Sequence, residues 1–304
     1  MVPGEIRRSM LISRRSSLMA MGAVTGLSSL RSGVPTEAAV INPGAAVPTA
    51  ATTEQPDWQK IAGEFVVDPE IAYLNTGSLG SVPRCVLETR RQTDQRLEAN
   101  PVSAGFGPVL AEAEAVRPKL ADLLGCRTEE IAVTRNTTEG INLIAEGLNL
   151  QPGDRVLTSN HEHGGGLGGW KYLVKRRGVH LDVARLGAPP ESEDEVVAQF
   201  AAAIRHDTSV LSVSHVTFSS GVQVPIAKLS ELAHAHNCLM VVDGAQAPGG
   251  ILVDVQALGC DAYASSGHKW LLGPKGTGVN SVRHAACMAL IAILRHKNNK
   301  RLAR

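Results

Sequence analysis

The chain has 304 residues, 30 Lys plus Arg against 29 Asp plus Glu, a formal net charge of +1, and 43% hydrophobic residues of which few are aromatic. That is material for one large domain or two modest ones, with ample apolar surface for a core. Balanced charge without a basic, aromatic-interleaved patch excludes nucleic acid as the default partner, because such affinity comes from many Lys and Arg contacts to phosphate.

Residues 1–45 read as an address and linker: basic at first, then small and hydroxylated, with no period that could build a core. Within them Ser13-Arg14-Arg15-Ser16-Ser17-Leu18 precedes a moderately apolar run, Leu18 to Leu30, too short to cross a bilayer comfortably. The pattern is that of a twin-arginine export signal, with Ser17 where an aromatic is usual and Met19 where a lysine is usual. The expectation is export to the periplasm without a stable membrane anchor. The alternative is a cytoplasmic protein with an N-terminal extension, or one that starts at Met10.

From residue 83 the spacing predicts a helix ending near Asn100-Pro101, then a second from Val109 to Leu124 with Val116, Leu120, Leu123 and Leu124 on one face and a kink at Pro118. Short apolar runs follow, each closed by a polar or Gly-rich turn: Ile131 to Val133, Val156-Leu157, Val210 to Val213 and Leu239 to Val242. Between them lie helical patterns: Ile141, Ile144 and Leu148; Val197, Ala201 and Ile204; Leu229 and Leu232. Strand and helix alternating in this way predict an α/β fold with a mostly parallel sheet and helices on both faces. In such sheets ligands bind at the carboxyl ends of the strands.

Those ends carry polar clusters: Thr134 to Gly140, Asn160 to Gly166, Ser214 to Thr217, Asp243 to Gln246, and Ser265-Ser266-Gly267-His268-Lys269. In the first, Thr137 and Thr138 open a helix whose free N–H groups and dipole favour an anion such as phosphate; alternatively Thr137 is only the helix cap. No G-x-G-x-x-G or Walker-type loop assigns that anion to a nucleotide. Asp243 follows four apolar residues, so its carboxylate leaves a desolvated strand and needs a cationic or N–H partner. It can hold a protonated pyridine nitrogen or cap the next segment. Lys269, between His268 and the apolar pair Trp270-Leu271, is placed to lose its proton cheaply, as Schiff-base chemistry requires.

His161 and His163 form an H-x-H pair that can ligate a metal, with His215 and Asp243 available but singled out by no spacing. The other use of His163 is to cover the face of an aromatic cofactor, with the following glycines allowing close approach. Cys85, Cys126, Cys238, Cys260 and Cys287 are scattered, without C-x-x-C or zinc-finger spacing, which argues against metal or disulfide scaffolding.

The ordered set Thr137-Thr138, Glu162-His163, Asp243-x-x-Gln246 and Ser266-x-His268-Lys269 resembles the class V aminotransferase superfamily of fold-type I PLP-dependent enzymes. That group includes isopenicillin N epimerase-like proteins, cysteine desulfurases and kynureninases. The likeness runs from about Tyr73-Leu74-Asn75-Thr76-Gly77 to Gly278. By that resemblance the cofactor is pyridoxal 5'-phosphate (PLP), Lys269 is its Schiff-base lysine and proton shuttle, and Asp243 partners the pyridine nitrogen. Gln246 bonds the phenolic oxygen and His163 stacks on the ring. Thr137, Thr138, Ser266 and His268 bind phosphate, and Asn75 falls in the substrate-side loop.

Phe218 stands where desulfurases usually carry asparagine after Ser214-His215-Val216-Thr217, which is more similar to the epimerase-like branch. The resemblance therefore implies a transferase or isomerase acting at the amino group or α-carbon of an amino acid. Alternatives are a desulfurase or lyase and an inactive remnant that only binds cofactor. Family members continue past Gly278 into a small C-terminal domain and are homodimers; here Val279-Asn280-Ser281 leads to an apolar run, Ala285 to Leu294, and a basic tail. The domain expectation is thus a signal and linker over 1–45, an incomplete PLP-binding large domain over 46–278, and an atypical tail over 279–304 of a truncated chain.

Overall fold

The apolar runs become the middle of a sheet. In the computed structural model, which describes residues 56–283, a short helix α1 (Trp58–Gly63) precedes α2 (Arg84–Ala99), α3 (Pro101–Gly105), α4 (Pro108–Glu114) and α5 (Val116–Leu124). Strands and helices then alternate: β1 (Ile131–Thr134), α6 (Thr137–Gly147), β2 (Arg155–Ser159), α7 (Gly164–Arg177), β3 (His180–Ala184), α8 (Glu193–Ala203), β4 (Thr208–Ser214), α9 (Ile226–Ala235) and β5 (Leu239–Asp243). Two further strands close the described chain, β6 (Ala262–Ser266) and β7 (Gly278–Val282). The export-type segment, Met10, Cys287 and the Ala285 to Leu294 run lie outside the described residues.

The seven strands form one sheet in the order β1-β7-β6-β5-β4-β2-β3. Neighbours from β3 to β6 are parallel, and β7 alone runs against both of its neighbours, β6 and β1. Every residue of β4 and β5 is buried, because helices cover both faces of a parallel sheet and leave no polar side. Alternate side chains feed the two cores: Leu211 and Met240 pack under α5, α8 and α9 with Leu124, Phe200 and Leu229, while Val210 and Val241 pack under α6 and α7 with Ile141, Trp170 and Leu173. The buried Trp170 indole donates to Ser212 Oγ at 2.9 Å, so this ring adds a satisfied polar anchor to its packing. Removing the wholly buried Phe200 ring would cost about 3–5 kcal/mol.

The structure corrects the helical readings in detail. The single helix expected from Val109 to Leu124 is two, broken at Ala115: Pro118 has no N–H for the Glu114 carbonyl, so the ladder stops there and Pro118 sits in the first turn of α5. Val116, Leu120 and Leu124 are buried as expected, but Leu123, at the margin of that face, is exposed. On α8 the buried residues are Val196 and Phe200, one position before the expected Val197 and Ala201. The strand β7 crosses the boundary set at Gly278, four residues into the segment set apart as a tail, and lies between β1 and β6.

Candidate active site

At the carboxyl ends of the strands the chain leaves a cavity of about 570 Å³. Asn75, Thr137, Thr138, His163, Asp243, Gln246, Ser266, His268 and Lys269 all reach it, although they are drawn from five separate stretches of the sequence.

One wall is the paired heads of α6 and α7. Asn136, not Thr137, caps α6, its side chain accepting from Glu139 N–H at 2.8 Å. That corrects the alternative use of Thr137: its hydroxyl is free of capping and lies 2.7 Å from Ser266 Oγ, which also accepts from Thr137 N–H at 3.3 Å. Two hydroxyls and the first-turn N–H groups thus converge at a helix N-terminus. His163 caps α7, Nδ1 accepting from Gly165 N–H at 3.0 Å, and its ring meets the edge of Phe218 with centroids 5.0 Å apart. A Cβ on Gly166 would stand 2.5 Å from Asp243 Oδ2, so only glycine lets α7 start against the end of β5.

Asp243 is buried at 6% exposure, and Ala245 N–H donates to its Oδ1 at 3.0 Å. Burial pushes its carboxyl above the ordinary value, and Ala245 N–H, Lys269 and His163 pull it back only in part. Burial pulls the Lys269 ammonium below its ordinary value, against the opposing influence of Asp243. His268 Nδ1 lies 3.0 Å from the Thr277 carbonyl oxygen, which fixes Nδ1–H as the donor; burial lowers the ring's proton affinity despite that bond, with Lys269 and Lys275 adding to the effect.

Gln246 is committed on both sides: its amide donates to the Gly77 carbonyl at 3.0 Å, and its oxygen accepts from the Trp270 indole N–H at 2.7 Å. One amide N–H is left for the cavity. Asn75 reaches the rim on a turn whose carbonyl accepts from Ser78 N–H at 3.0 Å and from the Tyr73 hydroxyl at 3.2 Å.

The metal alternative for His161 and His163 separates in space. His163 lines the cavity, whereas His161 is buried beside it with Nδ1 unpartnered, and no group of three metal-binding side chains occurs among the described residues. His215 is wholly buried and bonded at 3.0 Å to the Tyr263 hydroxyl; burial lowers its ring pKa to about 4. No spacing or motif marks Phe218 as the brace of His163 or Trp270 as the partner of Gln246, because both contacts are made across loops that periodicity does not place.

Known proteins are similar to this chain in sequence and in fold. The family model described as aminotransferase class-V matches residues 72–294. An isopenicillin N epimerase from Streptomyces clavuligerus is 36% identical over 222 residues, covering 73% of this chain and 56% of that protein. One from Amycolatopsis lactamdurans is 38% identical over 227 residues with the same coverage. A cysteine desulfurase from Escherichia coli O9:H4 is 34% identical over 223 residues, 71% of this chain and 54% of its own length. The chain thus spans little more than half the length of these curated relatives. Among solved structures, an Escherichia coli cysteine desulfurase superposes with a TM-score of 0.64 at 27% identity, covering 77% of this chain and 59% of that one. A variant of the cystine C–S lyase C-DES, with glycine covalently linked to its PLP cofactor, gives 0.68 at 25% identity, covering 77% and 61%. The mostly parallel sheet with helices on both faces is the fold of these fold-type I PLP enzymes, and the chain belongs to the class-V aminotransferase family.

Proposed function

We propose that the cavity binds PLP and that the chain is built for isopenicillin N epimerase-like chemistry, proton removal and return at the α-carbon of an amino acid. The observation that carries this is the meeting, in one cavity, of a desolvated lysine, a buried carboxylate and hydroxyls at a helix N-terminus. The donor set fits the group. A buried anion facing the cavity suits a protonated ring nitrogen, an amine of lowered pKa suits a carbonyl, and the head of α6 suits a phosphate. When bound, PLP supplies an electron sink for the pair of electrons left at the α-carbon.

The chain's own residues then have separable roles. Lys269 Nζ, neutral at lower pH than an ordinary lysine because it is desolvated, takes and returns the α-proton. Asp243 holds a proton at the ring nitrogen through Coulomb attraction strengthened by burial. His163, braced by Phe218, covers the ring face, and Gln246, held by Gly77 and Trp270, offers its remaining N–H to the phenolic oxygen. Thr137, Thr138 and Ser266 donate to phosphate. His268 joins them only when Nε2 carries a proton, since Nδ1–H is spent on Thr277; the dianion itself favours that protonation. Asn75 at the rim faces the substrate side.

Phe218, which reaches the cavity where desulfurases usually carry asparagine, favours the epimerase-like reading over a desulfurase. The desulfurase or lyase reading is kept alive by solved structures of a cysteine desulfurase and a cystine C–S lyase that superpose with this fold. The test is spectroscopic: the full chain with PLP should turn yellow, and borohydride should fix the cofactor to Lys269, read by peptide mass. A colourless protein that takes up no PLP overturns the reading. Export is a further part of this reading and rests on Ser13 to Leu18. Changing Arg14 and Arg15 together to Lys should hold the precursor in the cytoplasm, and unaltered delivery to the periplasm would refute it.

A further inference from the structure

Glu162 takes no part in the roles above, yet both oxygens of its buried carboxyl are held by short hydrogen bonds. Ser159 Oγ, at the end of β2, and Ser214 Oγ, at the end of β4, each lie 2.6 Å from one of its two oxygens. Ser214 is the in-register neighbour of Asp243 on β5, and cross-strand partners project from the same face about 5 Å apart. The Glu162 carboxyl therefore sits one hydrogen bond from the residue beside Asp243, on the same face of the sheet and just ahead of the His163 cap. Two carboxyls so close in a desolvated place cannot both ionise cheaply.

We propose that Glu162 is a positioning residue for Asp243: clamped between two serines, it keeps a proton, so that the neighbouring carboxyls carry one negative charge and Asp243 bears it. The assignment rests on the reading of Asp243 as the group opposite the cofactor ring. The division of charge follows from the surroundings. Asp243 is faced by Lys269 from the β6–β7 loop and by His163 from the head of α7, and it accepts from Ala245 N–H. Glu162 is faced chiefly by two hydroxyls, which serve an acid or an anion equally well because each can donate or accept, and by a weaker backbone hydrogen bond from Ser214 that favours the anion. The flanking imidazoles, His161 after β2 and His215 after β4, are both buried, and the latter is kept neutral at ordinary pH. Burial first, and Asp243 in addition, push the Glu162 carboxyl up to about 7 in spite of its two serine hydrogen bonds. A single charge of fixed position keeps the ring-nitrogen side constant up to neutral pH. Above it, a second charge would also raise the proton affinity of Lys269 and delay its release.

The experiment is a carbon NMR titration of the full chain labelled at glutamate carboxyls, without cofactor, followed by addition of PLP. One glutamate should titrate near pH 7 and be missing in Glu162→Gln. In Asp243→Asn its midpoint should fall, because the neighbouring charge is gone. In Ser214→Ala it should rise by about one unit, since a donor to the anion is lost. A merely structural clamp would shift with Ser214→Ala but not with Asp243→Asn, so the Asp243 variant decides the matter even if Glu162→Gln does not fold. No glutamate titrating above the ordinary carboxylate range, or a midpoint indifferent to Asp243→Asn, overturns the proposal. A coupled titration in a chain that gains no visible band with PLP supports the shared charge and overturns the cofactor reading instead.

Discussion

The two ends of the sheet treat charge in opposite ways. Near the amino ends, Arg155 at the start of β2 donates to Asp207 at 2.9 Å and to Asp182 at 3.2 Å, and Arg205 lies 3.7 Å from Asp182. Burial alone would raise the Asp207 carboxyl, but Arg155 outweighs it and holds the group below its ordinary value. At the carboxyl ends, Asp243 and Glu162 accept only from an N–H and from neutral hydroxyls, and Lys269 forms no ion pair among the described residues. Both carboxyls there are raised and the lysine is lowered. A charge met by its opposite is scaffold. A charge desolvated and left unmatched stores free energy that a ligand of the right polarity releases.

The sharpest way to break this contrast is Lys269→Ala. It should abolish borohydride fixation of PLP and lower α-proton exchange by roughly 10²–10⁴-fold, the usual contribution of a positioned proton-transfer group. It should also leave stability unchanged or slightly higher, because a desolvated amine is removed. A variant that keeps exchange, followed by loss of deuterium label from an amino acid, would take Lys269 out of the chemistry. Asp243→Ala comes next: exchange should fall about 10²-fold while PLP affinity, read by equilibrium dialysis, falls far less. Equal losses in both would make Asp243 a structural residue only.

A smaller effect separates the two ends by pH. A carboxyl raised by folding contributes fully below its unfolded value and loses that contribution as pH rises to its folded value. Glu162, raised from 4.5 to about 7, should therefore lower the stability of the chain by on the order of 3 kcal/mol across that interval. Urea midpoints measured from pH 4.5 to 7.5 should decline in the wild type and flatten in Glu162→Gln. The same decline in both would place the proton elsewhere.

How much of this was legible in the sequence depended on whether a signal was periodic, local or neither. The apolar runs at β2, β4 and β5 mark buried parallel strands, because two covered faces demand continuous hydrophobicity, while the shorter run at β1 marks an edge strand antiparallel to β7. The strand β3 sits at the sheet edge with one residue of five buried, and β6, Ala-Tyr-Ala-Ser-Ser, is buried but partly polar, so neither carries that signal. The nine candidate residues were legible as motifs in order along the chain, and all of them reach one cavity. What the order could not show is who holds whom. Asn136 rather than Thr137 caps α6 because Asn side chains at that position reach the third N–H of the helix, and both residue types satisfy the same local pattern. The Glu162 clamp joins residues 52 apart through Ser214, a contact made by strand order and by no spacing.

The phosphate end of the cavity should respond more mildly than Lys269 or Asp243. Ser266→Ala removes one hydroxyl and leaves the Thr137 hydroxyl without its 2.7 Å partner, but the N–H groups of α6 remain. Loss of one such hydrogen bond is worth about 1 kcal/mol, so PLP should bind roughly fivefold more weakly with its visible band unshifted. A shifted band would mean that Ser266 touches the reactive end of the cofactor.

The smallest expected effect is at the opposite end of the sheet, and it is the control that gives the others their meaning. Arg155→Ala removes a guanidinium held between Asp182 and Asp207, so it should destabilise the chain only slightly, as loss of a solvent-screened ion pair does. Because Asp207 is depressed in the folded state, its contribution is present above about pH 4 and is lost as pH falls through the folded value. The difference between wild type and variant should therefore shrink in acid, and shrink also in 1 M salt, where charges are screened within about 3 Å. PLP binding and its visible band should not change, since none of these groups reaches the cavity. If Arg155→Ala altered the band while urea midpoints stayed fixed, paired charge in this fold would be carrying function, and the contrast between the two ends would fail.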